Sequence, residues 1–138
     1  MIIIPQDEAQ SIRNWLERAH EALRAAQTLR QMGGSNGSVV NRAYYAMLYA
    51  VFASLVSHHL DIEKTGDNDD VIIALFEDKF VKPKKIQKEI SKKIESAYDL
   101  CQAYDFQPFF EIRNEQAVEV MKSADEFIHT IEEKLHEK

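Results

Sequence analysis

The residues best suited to chemistry lie in one stretch, Arg42-Ala43-Tyr44-Tyr45-Ala46-Met47-Leu48-Tyr49. In an α-helix, residues seven apart return to nearly the same face two turns along. Arg42 and Tyr49 therefore share a face, with Tyr45 and Ala46 between them. A guanidinium among aromatic rings and hydroxyls can hold a phosphate and support a stacked base. The same residues have a plainer use. Arg42 can pack its stem at a helix start with its head in water, and the tyrosines can be core residues with wet hydroxyls.

Other constellations carry less. Glu17-x-x-His20 and Glu126-x-x-His129 match a spacing used by di-iron bundles. At about 100° per residue, however, Glu17 and Glu126 fall opposite the apolar stripes of their own helices. The most apolar segment offers no carboxylate between Ala43 and Val56, so no metal site is expected. His58-His59 sits where a helix should end, and imidazoles suit the negative end of its dipole. No Gly-rich phosphate loop, nucleophile elbow or Cys-x-x-Cys pair calls for a cofactor. The single cysteine, Cys101, cannot form an internal disulfide and reads as a small buried residue, which fits a reducing cytoplasm.

These side chains must be positioned by helices. The 138 residues suit one domain, spanning 1–138, and 45% hydrophobic with 29% charged residues is an ordinary globular balance. Four Gly and three Pro leave room for long regular elements. A first helix is predicted from Gln6 or Asp7 with the stripe Ile12, Trp15, Leu16, Ala19, Leu23, Ala26, ended by Gly33-Gly34. A second, capped by Ser35, Asn36 or Ser38, runs to about His59. Every residue from Ala43 to Val56 except Ser54 is apolar, so other helices or a second subunit must surround it. Asp61 to Asp70 reads as a loop, Val71 to about Phe80 as a short helix capped by Asp69 or Asp70 and stopped by Pro83, and Lys85 to Asp105 as a fourth helix. Asn114 is expected to cap the last. No segment alternates as a strand would. The predicted fold is all-α, an antiparallel up-and-down helical bundle of four long helices plus one short helix.

A net charge of −6 argues against bulk binding to nucleic acid. The lysines Lys79, Lys82, Lys84, Lys85, Lys88, Lys92 and Lys93 form a local basic cluster, whose usual meaning is a solvated face. The apolar N-terminus Met1–Pro5 is too short for a signal peptide, no run reaches membrane-spanning length, and a cytoplasmic chain without membrane contact is expected.

The stretch Asn41-Arg42-Ala43-Tyr44-Tyr45-Ala46-Met47-Leu48-Tyr49-Ala50 resembles the signature helix of the HEPN domain, above all its small stand-alone bacterial and archaeal branch. Val71 to Lys82, Tyr98-Asp99-Leu100 with Tyr104-Asp105-Phe106, and Ala117 to Ile131 resemble later segments of that branch, so the resemblance spans roughly Asp7 to Leu135. It implies a helical bundle that dimerises through the signature helix, here residues 38–59. It also implies a metal-independent ribonuclease, often a toxin paired with a minimal nucleotidyltransferase. The family signature is an Arg followed, after four to six residues, by a His. Arg42 matches the Arg, and the His position holds Tyr49. A phenol with a pKa of about 10 is a poor proton shuttle near neutral pH.

Three readings follow. The first is a nucleotide-, RNA- or partner-binding module using Asn41, Arg42, Tyr45 and Tyr49. The second is a ribonuclease with Arg42 and Tyr49 as its catalytic pair. The third is a structural helical subunit. With a nucleotidyltransferase partner, Tyr44, Tyr45 and Tyr49 become candidate acceptors of a transferred nucleotide.

Overall fold

The computed structural model describes residues 7–60 and 68–136. Helix α1, Asp7–Gln31, begins with two acidic residues at the positive end of its dipole. It ends as a diglycine should. Gly33 takes a left-handed φ of +81°, while the Gly33 and Gly34 amides donate back to the Arg30 and Leu29 carbonyls at 3.2 and 2.7 Å. That turn reverses the chain into α2, Asn36–Ser57, whose cap is Ser35, accepting from the Ser38 amide.

Alanines do much of the joining. Ala19, Ala22 and Ala26 of α1 and Ala43, Ala46, Ala50 and Ala53 of α2 are all buried, and α1–α2 is the most extensive helix pair. Small side chains let the two helices approach closely. Helix α2 also packs on α3 (Asp69–Phe76), α4 (Lys88–Phe106) and α5 (Asn114–His136). Most of its apolar circumference is therefore covered within one chain, leaving one half-buried edge at Tyr45, Tyr49 and Phe52. By length and composition α2 could cross a membrane, but 72% of that window is buried in the bundle, as in a core helix.

The direction of the chain alternates. Trp15 meets Phe52 and Leu29 lines a cleft with Gly37, so α1 and α2 are antiparallel. Tyr44 faces Tyr98, and Lys93 reaches Glu126. The four long helices thus run up and down, with α3 as the short extra element. No strand occurs among the described residues.

Boundaries shifted in three places, each for a local reason. The cap of α3 is Asn68, whose side chain accepts from the Asp70 amide, not Asp69 or Asp70. Helix α3 then widens into a π-helical turn, Glu77–Val81, before Pro83. Lys84 follows with φ +61°, and the Lys85 and Ile86 amides both donate to the Phe80 carbonyl. Those amides are spent on closing the turn, so α4 begins at Lys88 rather than Lys85. At α5 the cap position belongs to Arg113. Its carbonyl accepts from Ala117 and its amide donates to the Gln116 side chain at 2.9 Å. Asn114 is already helical, and its side-chain oxygen accepts from Asn36 at 3.0 Å. Of the loop expected over Asp61–Asp70, residues 61–67 lie outside the described residues, as does Gln6.

Candidate functional site

Most of α2 is sealed, but one edge is not. Arg42, Tyr45, Tyr49 and Phe52 are only half-buried, and steps of three or four put them along one line. The Arg42 guanidinium lies 5.2 Å from the centre of the Tyr45 ring. Tyr45 and Tyr49 follow at 6.1 Å. Trp15 of α1 then stacks on Tyr49 at 5.7 Å and meets Phe52 edge-on at 4.8 Å. Arg18 covers Trp15 at 5.3 Å. The result is a ladder of π-faces with a guanidinium near each end, contacts worth about 0.5–1 kcal/mol each where exposed.

Two clefts open beside this ladder, and Arg42 lines both. One, of about 360 Å³, is bounded by Arg18, Glu21, Ala22, Ala25 and Tyr49. The other, of about 340 Å³, is bounded by Leu29, Gly37, Ser38, Asn41 and Tyr104. Among the described residues no carboxylate reaches salt-bridge distance of Arg42, and the phenol oxygens of Tyr45 and Tyr49 have no hydrogen-bond partner in the chain. Burial raises the Tyr45 pKa above its ordinary value, so the phenol stays protonated and can donate.

The sequence-predicted residues divide. Asn41, Arg42, Tyr45 and Tyr49 share the open edge. Tyr44 does not. It is buried, and its hydroxyl donates to Asp69 Oδ2 at 2.6 Å, tying α2 to the start of α3. Burial first, then Asp69, drives the Tyr44 pKa far up. Trp15, Arg18 and Tyr104 come from other helices and carry no signal near the motif. The faint clue was Arg18, one turn after Trp15 in α1.

The metal-like spacings are taken up elsewhere. His20 pairs with Glu132 of α5 at 2.9 Å, Glu126 with Lys93, and His129 Nδ1 donates to the Asp125 carbonyl. His59, at φ +62°, reaches Glu8, while His58 stands edge-on to Phe80 with its pKa lowered by burial and by Lys85 and Lys79. None of the five histidines lines either Arg42 cleft. In the lysine cluster, Lys79 and Lys82 pair with Asp78.

The Tyr44 region carries a pH signature. Cys101 is buried, and its thiol pKa rises from 9.0 to about 12, chiefly by desolvation. The folded chain keeps the Tyr44 and Cys101 protons where an unfolded chain releases them, near 10 and 9 respectively. The unfolded state then binds fewer protons, so stability must fall as pH rises above about 9. Urea midpoints measured between pH 8 and 11 should drop steadily. The double substitution Tyr44→Phe with Cys101→Ala should flatten that slope, and an unchanged slope would contradict the assignment.

The profile of the HEPN domain matches residues 12–134. The chain belongs to the HEPN family. A UPF0332 protein of Thermotoga maritima is 31% identical over 121 residues, 88% of each chain. A candidate toxin of Methanocaldococcus jannaschii is 25% identical over 114 residues, 83% of this chain and 74% of its own. The HEPN match includes every residue of the ladder, from Trp15 to Phe52, and Tyr104 as well.

Proposed function

We propose that this HEPN domain binds a nucleotide or single-stranded RNA at the Arg42 edge and does not cut it. One observation supports this above others. A guanidinium with no ion-pair partner among the described residues opens onto two clefts, one lined by the Tyr49 ring and the other by the Tyr104 ring, yet no imidazole lines either. Phosphate binding needs the fixed cation and donors. Cleavage by 2′-hydroxyl attack also needs a group that moves protons near neutral pH.

Titration with adenosine monophosphate and a labelled oligoadenylate tests the reading. Charge-assisted hydrogen bonds contribute about 1.5–3 kcal/mol, so Arg42→Ala should weaken binding by roughly 10- to 100-fold with an unchanged circular dichroism spectrum. The wild-type protein should leave RNA intact at high excess, with or without EDTA. Full binding by the variant would refute the proposal.

The ribonuclease reading draws its support from the relative named as a candidate toxin. In that case Arg42 stabilises the developing charge and Tyr49 donates a proton, and RNA should be cut in EDTA. The binding reading also accommodates a cytoplasmic two-gene arrangement. A second copy docks along residues 38–59, and a minimal nucleotidyltransferase modifies a tyrosine. Tyr45 and Tyr49 offer free hydroxyls for that transfer, whereas the Tyr44 hydroxyl is held on Asp69.

A further inference from the structure

Arg42 forms the wall between two clefts, and the second has a floor of its own. A Cβ built on Gly37 would come within 2.2 Å of Tyr104 Cζ and within 2.4 and 2.5 Å of its two Cε atoms. Three ring carbons at nearly equal range mean that the face of the ring, not its edge, lies on the α2 backbone. Only glycine permits that approach. Tyr104 stands in the last turns of α4 and is 41% exposed, so the rest of the chain does not close over its ring. The ring is thus a flat aromatic shelf, fixed from below, at the border of the cleft that holds Arg42 and Asn41. The Asn41 carboxamide has no hydrogen-bond partner among the described residues, which leaves donors and an acceptor for a base edge.

We propose that Tyr104 is a second base-stacking platform and that the ligand is a single strand of at least two nucleotides. The phosphate joining them sits on Arg42. One base lies against the Tyr45–Tyr49 ladder, and the next lies on Tyr104, with its edge toward Asn41. This rests on the Arg42 phosphate grip proposed above. A mononucleotide fills only the ladder side, while a strand crosses the arginine and uses both clefts.

The test compares two probes, adenosine monophosphate and a labelled oligoadenylate, on the full chain. Base-on-aromatic stacking, read by alanine substitution, corresponds to roughly tenfold in affinity per base. Tyr104→Ala should weaken the oligoadenylate about tenfold and leave the mononucleotide within about twofold. Tyr104→Phe should retain full binding of both. Gly37→Ala, which pushes the ring off its seat, should reproduce the Tyr104→Ala loss. If Tyr104→Ala holds the oligoadenylate like wild type while Arg42→Ala does not, the platform is refuted and the arginine grip stands. If the mononucleotide is weakened as much as the strand, the two-cleft path is wrong. If neither substitution matters, or the wild type binds no oligoadenylate, both proposals fall.

Discussion

Tyr49→Phe should leave RNA uncut, whereas Tyr49→His should turn this chain into a metal-independent ribonuclease. By the family resemblance, Tyr49 stands where the signature carries its histidine, seven positions on from Arg42 with six residues between. The frame around it is present, with Arg42 on the same edge, Trp15 stacked on the position at 5.7 Å, and an open cleft that Arg42 and Tyr49 both line. A neutral imidazole can take the 2′-hydroxyl proton as that oxygen attacks phosphorus. As imidazolium it can give a proton to the departing 5′-oxygen, leaving a 2′,3′-cyclic phosphate. Positioned acid–base catalysis is worth about 10²–10⁴-fold, and a histidine titrates near neutral pH. Cleavage should therefore rise by that order over wild type, resist EDTA, peak near neutrality and vanish when Arg42→Ala is added. A folded Tyr49→His protein that still binds RNA but leaves it whole would show that the missing imidazole is not what silences the site.

The second large effect concerns the frame. Phe76, the last residue of α3, is fully buried, stacked on Phe80 at 5.5 Å and tilted against Phe127 of α5 at 5.6 Å. Phe76→Ala removes the ring from both contacts. Such core truncations cost about 3–5 kcal/mol, a large part of the 5–15 kcal/mol that holds a domain together. Chemical denaturation should report a loss in that range. A loss under about 1 kcal/mol would mean that α3 is not anchored through this ring.

Much of this fold could be read from residue patterns because its signals are local. Gly33-Gly34 ended α1 where a left-handed turn was expected, and Ser35 capped α2. The errors came where a non-adjacent group decided the outcome. Lys85 looked like a helix start until the Phe80 carbonyl was seen to hold its amide. Asn114 looked like a cap, but its side chain bonds to Asn36, far away in sequence. The site shows the same division. Helical spacing put Arg42, Tyr45 and Tyr49 together correctly. It also left Tyr44 off that face, but it could not show that the Tyr44 hydroxyl is held by Asp69, which only tertiary packing reveals. Nor could it show that Trp15, at the margin of the α1 stripe, completes the ladder, or that Gly37 makes room for Tyr104.

The chain has one tryptophan, and it stands within the ladder rather than in the core. The protein therefore carries a built-in optical reporter. Indole emission responds to solvent and to a stacked neighbour, so a guest on Tyr49 should alter its colour and brightness without any attached dye. Occupancy of the cleft can be followed in the unmodified molecule.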